Sequence, residues 1–305
     1  MTFRYDLSKF IPFRDVDALE RVRSITKEQI TQHPNPDFKL RVIENSADFY
    51  FSFALDLVHR IKEALDQGRK LTVILPVGPT PQYEIAAMII NRFRLSCRHL
   101  ESFNMDEYAD SEGNTPPADW AGSFQRAMME NFFGQLDADL RPPLNQIHFP
   151  TKEKLPDYGK MIADRGGADV CYGGIGWCGH IAFWEAHLGF EFGDDLAAYK
   201  QAGPRCVELH PMTIMQNALH SFSGDWSWVP PNANTIGPAE ILGARDRSFW
   251  LDGYLGGGIS WQRFIARLAA HGPVTPLVPG SILQTVPGTY TILGGVADDC
   301  VVQMK

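Results

Sequence analysis

The sequence predicts an α/β fold with a mostly parallel, Rossmann-like sheet and helices on both faces. From residue 39 onward, strand-like and helix-like segments alternate with short connections, which is the pattern of βαβ units. Residues 71–75 (LTVIL) form a β-branched, apolar run without alternation, as expected for a strand covered on both faces. Such sheets bind ligands beyond the carboxyl ends of their strands, so the residues that follow each strand are the first candidates for a site.

Composition narrows the class of protein. The 305 residues are 44% hydrophobic and 21% charged, as in an ordinary soluble globular protein, and the net charge of −8 argues against a nucleic-acid partner. The five cysteines are scattered and odd in number, without CxxC spacing, which favours free thiols over disulfides or a zinc site. No segment resembles a signal peptide or a membrane span. We therefore expect a cytoplasmic protein with no membrane partner.

Apolar spacing and turn residues give the order of the elements. Polar composition and prolines mark residues 1–38 as an N-terminal extension with a helix at 16–32, and residues 39–305 as one α/β domain. The predicted strands cover residues 40–43, 71–75, 99–103, 146–149, 248–251 and 289–293, with one more leading into residue 171. The predicted helices cover residues 46–68, 82–93, 120–136, 158–164, 213–220, 238–244 and 260–271, the first of them capped by Ser46. Residues 109–118 are expected to be a loop, residues 188–211 have no clear periodicity, and residues 256–258 are expected to be a flexible link.

The turn at residues 76–81 lies between a buried strand and a helix start. Free N–H groups there, with the hydroxyl of Thr80, would hold an anion such as a phosphate. Pro79 and Pro81 remove two of the donors, because proline has no N–H. An ordinary strand–helix turn explains the same residues.

Asp106 and Glu107 are adjacent at the end of a predicted strand. If the backbone is still extended there, their side chains point to opposite sides and only one of them faces the cleft. A single cleft carboxylate suits proton abstraction next to a carbonyl group. A pair of solvated loop acids is the alternative.

Residues 171–185 combine four glycines with titratable side chains. His180 suits general acid or base chemistry near neutral pH, and Glu185 reaches it only if the segment is a loop or begins its helix after His180. Cys178 is either a thiolate activated by the imidazole or a buried inert thiol. A metal site of Cys178, His180 and His187 is a further alternative, although its spacing matches no strong template. A glycine-rich connection whose histidine caps a helix is the plain structural explanation.

The three stretches, in this order and spacing, resemble the glucosamine-6-phosphate deaminase (isomerase) family, which is related to the 6-phosphogluconolactonases. Residues 76–81 (PVGPTP) are similar to its phosphate loop PTGGTP, and residues 103–108 match its FNMDEY motif at every position. Residues 174–185 (GIGWCGHIAFWE) are similar to its GIGNDGHIAFNE motif, and residues 233–237 more faintly to its ALTVG segment. The resemblance covers the chain from about residue 39. It favours the deaminases over the lactonases, whose last motif continues as GHTASLFP.

This resemblance implies aldose–ketose isomerisation of a glucosamine-6-phosphate-like sugar with loss of ammonia, without a metal or an organic cofactor. It implies that Asp106 moves a proton between C2 and C1 of the opened sugar, that His180 assists ring opening, and that Glu185 orients and tunes His180. The implied substrate-binding residues are Gly78, Pro79, Thr80, Glu107, Gly176, Trp177 and Cys178. The family also implies a homo-oligomer.

The chain departs from the family pattern at several of these positions. Cys178 replaces an acidic residue and Trp184 an asparagine; because a thiol cannot replace a carboxylate that charges an imidazole, the role of His180 is in question. The family's phosphate-binding arginine, expected near residue 217, falls on Leu219 or His220 here, and its lysine, expected near residues 256–258, has no evident counterpart. Losing two cations at a dianion site costs on the order of several kcal/mol of binding. Either Arg245 and Arg263 substitute for them or the ligand is not the usual 6-phosphate.

Three hypotheses follow from the sequence. The first is an amino-sugar-phosphate isomerase/deaminase with altered specificity. The second is a non-catalytic descendant of the fold that binds a sugar phosphate. The third is a lactonase-type hydrolase in which His180 acts as the base toward water.

Overall fold

A computed structural model describes residues 5–304 of the chain. Its strands are β1 (Phe38–Ile43), β2 (Leu71–Leu75), β3 (Leu100–Asn104), β4 (Asp106–Ala109), β5 (Ile147–His148), β6 (Val170–Gly173), β7 (Arg205–Glu208), β8 (Asn232–Thr235), β9 (Asp246–Leu251), β10 (Tyr254–Gly256), β11 (Ile259–Ser260) and β12 (Gly288–Leu293). Its α-helices are α1 (Val16–Arg23), α2 (Ser46–Asp66), α3 (Pro81–Arg92), α4 (Phe124–Asn131), α5 (Tyr158–Ala163), α6 (Leu196–Lys200), α7 (Pro211–Ser221), α8 (Pro238–Gly243), α9 (Arg263–His271) and α10 (Gly294–Ala297).

The central sheet confirms the predicted fold class. Seven strands lie in the order β1-β12-β9-β6-β2-β3-β5, and every neighbouring pair is parallel. Strands β2 and β3 are buried along their whole length, as predicted for β2 from its unbroken apolar run. From β2 the chain builds one half of the sheet through β3 and β5, and from β6 it builds the other through β9 and β12. The direction of winding therefore reverses between β2 and β6, where such sheets leave a crevice at their carboxyl edge.

A second, antiparallel sheet of three strands was missed by sequence reasoning. Its order is β4-β8-β7, and Asp106 of β4 lies opposite Thr235 of β8. The strands have only four residues each, too few to display a period, and β7 lies in the region where no periodicity was found. The predicted flexible link at 256–258 is likewise the turn of a small hairpin of β10 and β11.

Three of the predicted helices have a wrong cap or wrong ends, because apolar spacing alone does not show where a helix begins and ends. The N-cap of α2 is Asn45, whose Oδ1 accepts from the backbone N–H of Asp48 at 2.8 Å, and Ser46 is the first helical residue. The helix predicted at 120–136 is only α4, since Ser123 caps its start and Phe132 leaves helical geometry at its end. The helix predicted at 16–32 ends at Arg23.

The N-terminal segment packs against α9. Val22 and Ile30 are fully buried, and the buried guanidinium of Arg267 donates to the carbonyl of Ile25 at 2.8 Å and to that of Ala297 at 2.7 Å. Arg267 thus joins residues near both ends of the described chain. The domain boundary at residue 38 stays a prediction. None of the helices between residues 5 and 304 combines the length and the apolar character that crossing a membrane requires.

Candidate active site

A cavity of about 440 Å³ lies at the carboxyl edge of the central sheet, where β9, β6, β2 and β3 end. Each of these strands is followed by residues that line it. They are Asp252 after β9, Gly174 to Gly176 after β6, residues 76–81 after β2, and Met105 and Asp106 after β3. The other lining residues are Tyr50, Tyr108, Phe124, His180, Ala182, Phe183, Gln216, Asn217, His220, Ser221, Trp250, Trp261 and Gln262.

The three stretches that the sequence singled out border this one cavity. Six of the predicted site residues line it, namely Gly78, Pro79, Thr80, Asp106, Gly176 and His180. Four do not, namely Glu107, Trp177, Cys178 and Glu185. Because Glu107, Trp177 and Cys178 lie outside the lining of this cavity, the substrate-binding roles expected of them stay predictions.

Asp106 presents an unpartnered carboxyl group to the cavity. It is the first residue of β4 and is only 7% exposed, and no hydrogen bond joins its carboxyl group to any residue between 5 and 304. Burial, followed by the nearby charge of Glu107, raises the pKa of Asp106 well above its ordinary value. A desolvated carboxylate without donors is a strong base for its type, which suits the removal of a carbon-bound proton.

Glu107 points to the opposite side of β4, as alternation along a strand requires. Its carboxylate accepts hydrogen bonds from the backbone N–H groups of Tyr108, Phe124 and Gln125 and from the hydroxyl of Ser123, at 2.8 to 3.0 Å. The last three donors belong to the start of α4, where a negative charge also interacts favourably with the helix dipole. Glu107 is therefore a helix-capping residue, and its acceptor sites are occupied by the protein itself.

His180 turns its Nδ1 edge away from the cavity and toward three polar side chains. Nδ1 lies 2.9 Å from Thr213 Oγ1, 3.3 Å from Glu185 Oε2 and 3.4 Å from Cys178 Sγ. The Nε2 edge lies against Gly176, where a Cβ atom would come within 1.9 Å of Nε2. A glycine is required at this position because the imidazole occupies the space of a side chain.

Glu185 lies behind His180 and is fully buried. Residues 174–185 form no regular helix; they turn back on themselves through a bridge between Ile181 and Trp184, so that the two side chains converge. Both the hydroxyl of Thr213 and the thiol of Cys178 donate to Glu185 Oε2 at 2.9 Å. Burial alone would raise the pKa of Glu185, but the imidazole of His180 and these hydrogen bonds hold it below its ordinary value.

This arrangement fixes the tautomer of His180 when its ring is neutral. The hydroxyl hydrogen of Thr213 is donated to Glu185, since a carboxylate can only accept. The contact between Nδ1 and Thr213 Oγ1 must then be a hydrogen bond donated by Nδ1–H. Nε2 is left with its lone pair, which makes it a proton acceptor.

Cys178 is a buried, protonated thiol. Burial and the neighbouring carboxylate of Glu185 raise its pKa well above the ordinary value, so it is not an activated nucleophile. Together with His180 and Glu185 it forms a group of buried side chains whose potential metal-ligating atoms lie within 4.8 Å of one another. His187, the third ligand of the alternative considered from the sequence, is not in this group and stacks on His210 instead.

No lysine or arginine of residues 5–304 lines the cavity. Arg245 pairs with Asp169 at 2.8 Å, just ahead of β6 and thus at the amino edge of the sheet. Arg263 donates to the carbonyl groups of Gly258 and Gly295 at 3.3 and 2.9 Å. Neither arginine substitutes for the missing phosphate-binding cations, which corrects the first of the two alternatives drawn from the sequence.

Asp252 and His220 are cavity residues that sequence reasoning missed. Asp252 accepts a hydrogen bond from the hydroxyl of Tyr50 at 2.9 Å, and burial raises its pKa. His220 accepts a hydrogen bond at Nε2 from the indole N–H of Trp261 at 2.7 Å, and burial lowers its pKa, so its ring is neutral. Asp252 directly follows a predicted strand, and that position was a usable signal. For His220 on α7 the signal was the family resemblance, which places the phosphate-binding arginine at residue 219 or 220.

The fold and the site together define an α/β protein with a carboxyl group and a hydrogen-bonded imidazole at the carboxyl edge of a parallel sheet. Among solved structures, a monomeric glucosamine-6-phosphate deaminase matches 85% of this chain and 99% of its own, with a TM-score of 0.71 at 21% identity. The 6-phosphogluconolactonase of Thermotoga maritima matches 83% of this chain and 98% of its own, with a TM-score of 0.57 at 15% identity. These likenesses show the shared fold. No protein-family model matches the chain.

Sequence comparison gives the family. The glucosamine-6-phosphate deaminase of Caenorhabditis elegans is 34% identical over 214 residues, which cover 67% of this chain and 73% of the relative. The glucosamine-6-phosphate deaminase of Rhodopirellula baltica is 32% identical over 231 residues, which cover 73% of this chain and 81% of the relative. The chain belongs to the glucosamine-6-phosphate deaminase family.

Proposed function

We propose that this protein is an amino-sugar isomerase/deaminase that works by proton transfer on the ring-opened sugar. The observation that supports this most directly is that an unpartnered carboxyl group, Asp106, and the imidazole of His180 border one cavity. Both are groups that move protons at near-neutral pH. The relatives named above are deaminases of glucosamine 6-phosphate, which makes a 2-amino aldose the natural substrate class.

In the proposed reaction, His180 takes the proton of the C1 hydroxyl through Nε2 as the ring C1–O5 bond breaks, and O5 is protonated. Asp106 then removes the proton from C2 while the aldehyde oxygen gains one, which gives a 1-hydroxy-2-amino alkene. Return of the proton to C1 gives the imine of the ketose. Addition of water at C2 and departure of ammonia complete the balance of one amino aldose plus one water to one ketose plus one ammonia.

Glu185 and Thr213 act through His180 in this proposal. They hold the tautomer in which Nε2 is free, and the carboxylate of Glu185 stabilises the imidazolium that forms when Nε2 takes a proton. The carboxylate that the family motif has at position 178 is absent here, but Glu185 lies within 3.3 Å of the same ring and supplies a negative charge.

The test is an assay for ammonia and ketose with a panel of 2-amino aldoses and their 6-phosphates. Equimolar release of both products supports the proposal. Hydrolysis of a sugar lactone without ammonia, abolished by His180→Ala, would replace it by the lactonase hypothesis. Binding of sugars, seen as a rise in melting temperature, without any turnover would replace it by the non-catalytic hypothesis.

Gly176→Ala is expected to lower kcat/KM by about 100-fold, because the added methyl group overlaps the Nε2 edge of His180 and must displace the ring. The loss of stability is expected to be about 1–3 kcal/mol, as for other overpacked sites. Gly243→Ala is the matched control, since no atom lies within 4 Å of its added Cβ. Full activity in Gly176→Ala would mean that the ring is not held where it must act.

In the pH dependence of kcat/KM, Glu107→Gln is expected to move the acidic limb to lower pH. Asp106 must be ionised to act, and after burial the charge of Glu107 is the cause that raises the pKa of Asp106, so removing that charge lowers it. The helix cap is weakened at the same time, at a cost of about 1–2 kcal/mol in unfolding free energy. Ser123→Ala, which weakens the same cap without changing charge, is the control and should leave the limb in place. A limb that moves to higher pH would contradict the assignment of Asp106 as the base.

A further inference from the structure

The formally charged side chains that line the cavity are acidic. Its only formally charged lining residues among residues 5–304 are Asp106 and Asp252, and its two histidines are His180 and His220. His220 is held neutral by the indole N–H that it accepts. The cavity therefore has two carboxyl groups and no permanent cation. A phosphate dianion would lose its hydration there without gaining an ion pair, and it would be repelled by both carboxylates.

The turn at residues 76–81 offers few donors in compensation. Pro79 and Pro81 have no N–H, and the Thr80 hydroxyl, which makes no capping hydrogen bond to α3, is the one side-chain donor of the turn. Gln262 at the other side of the cavity is neutral, and its amide is already engaged: Nε2 donates one of its two hydrogens to the carbonyl of Ile175, and Oε1 accepts from the N–H of Gly253 at 2.7 Å. Among residues 5–304, no lysine or arginine lines this part of the cavity to neutralise two negative charges.

A second chamber opens beside the same turn. It has a volume of about 430 Å³ and shares Val77, Gly78 and Thr80 with the first cavity. Its lining is mostly apolar and, among residues 5–304, includes no charged side chain; five of the thirteen lining residues are aromatic, namely Tyr108, Trp120, Phe124, Phe222 and Trp228. The rings of Trp120 and Phe222 are stacked with centroids 6.0 Å apart, and Trp228 at the rim is 63% exposed.

Such a chamber matches the surface of an uncharged sugar ring. The C–H faces of a pyranose are apolar and pack on aromatic rings, while its hydroxyl groups reach the few polar groups at the edges, here Ser123 and Ser221. A phosphate would find neither a cation nor a polar wall in it. The volume is within the range of pockets that hold small-molecule ligands.

We propose that the substrate is an unphosphorylated amino sugar whose end remote from the reacting carbon carries a second, uncharged sugar ring, held in the aromatic chamber. The reducing-end ring then occupies the first cavity beside Asp106 and His180. This assignment of the two ends rests on the proposed isomerase/deaminase reaction. The absence of a phosphate rests only on the charges and walls of the two spaces.

The experiment compares three compounds on the full-length chain: glucosamine 6-phosphate, glucosamine and the β-1,4-linked disaccharide of glucosamine. Turnover is followed as ammonia release, and binding is followed separately as the shift in melting temperature and by calorimetry. We expect kcat/KM to be highest for the disaccharide and at least 100-fold lower for glucosamine 6-phosphate. A preference for glucosamine 6-phosphate in turnover and in binding would overturn the proposal, and equal values for glucosamine and the disaccharide would overturn the part that concerns the chamber.

Two variants test the effect of the cavity charge and the role of the chamber separately. Asp252→Asn removes one of the cavity charges and should raise kcat/KM for glucosamine 6-phosphate at least fivefold relative to that for glucosamine. Trp228→Ala, at an exposed rim position where folding depends little on the side chain, should lower kcat/KM for the disaccharide about tenfold more than that for glucosamine. If Asp252→Asn leaves the ratio of the kcat/KM values for glucosamine 6-phosphate and glucosamine unchanged, the electrostatic reason is refuted. If Trp228→Ala leaves the ratio for the disaccharide and glucosamine unchanged, binding of the second ring in the chamber is refuted.

Failure of the reaction and failure of the ligand assignment give different results. If none of the three compounds releases ammonia, the proposed reaction is wrong, and the binding data alone decide the ligand class. A disaccharide that stabilises the protein where glucosamine 6-phosphate does not would still support the inference. The opposite order would overturn it.

Discussion

Replacing Asp106 by asparagine is expected to lower kcat/KM by about 10³-fold or more, within the range that general acid–base catalysis supplies. The amide has the same shape but cannot take the proton from C2. The unfolding free energy should not fall, because the carboxyl group makes no hydrogen bond within residues 5–304 whose loss would be felt. Burial raises its pKa, so the ionised form destabilises the folded protein, increasingly as the pH rises above the ordinary value. The variant should therefore gain stability relative to the wild type from pH 5 to pH 8.

The measurements are steady-state kinetics of ammonia release and thermal unfolding over this pH range. Asp119→Asn is the control, since Asp119 is exposed on the loop that precedes α4 and makes no side-chain contact with the cavity. Substantial activity in Asp106→Asn would remove Asp106 as the base. A stability gain that shrinks with rising pH would contradict the raised pKa of Asp106.

Replacing Glu185 by alanine is expected to have the second largest effect, a fall in kcat of about 100-fold with a loss of about 2–4 kcal/mol in unfolding free energy. Its carboxylate accepts from Cys178 and Thr213 and lies 3.3 Å from the imidazole of His180. Without it, those buried groups lose their acceptor, and the tautomer of His180 is no longer fixed. Because Glu185 does not line the cavity, KM should change little, which is the mark of a positioning residue.

Glu185→Gln separates the shape of this residue from its charge. The pKa of Glu185 is held below its ordinary value in the folded protein. Its ionised form therefore adds stability that is present at pH values above the pKa of an ordinary glutamate, about 4.3, and is lost as the pH falls further. The stability deficit of the glutamine variant should therefore be larger at pH 7 than at pH 4, with kcat still reduced at pH 7. Thermal unfolding at both pH values measures this. A deficit that is smaller at pH 7 than at pH 4 would mean that Glu185 is buried in its protonated form, and equal deficits would contradict its lowered pKa. Unchanged kcat would remove its role toward His180.

The groups around His180 and the groups that line the cavity differ in what they can bind. The imidazole side has a buried carboxylate 3.3 Å from His180, while no lysine or arginine of residues 5–304 lines the cavity. The sugar 6-phosphate expected from the family resemblance therefore fits the machinery for proton transfer better than it fits the walls of the cavity. The homo-oligomer implied by the same resemblance stays a prediction.

Much of the fold follows from local sequence. The unbroken apolar run at 71–75 requires a strand covered on both faces, and short connections then require a parallel sheet. Asp106 and His180 line one cavity at the carboxyl edge of that sheet, and their place in segments that follow strands is visible in the sequence. What the sequence by itself determined is therefore the architecture and the neighbourhood of the site.

The orientation and electrostatics of the site depended on contacts between distant residues. Pairing of β4 with β8, more than a hundred residues away, directs Asp106 into the cavity and Glu107 to the start of α4, a choice that alternation alone leaves open. Thr213 on α7 sets the tautomer of His180, and the engagement of Arg245 and Arg263 elsewhere leaves the cavity without a lysine or arginine from residues 5–304. Only the tertiary structure decided these points, because the direction of a side chain and its charged neighbours are fixed by long-range packing, which local periodicity does not encode.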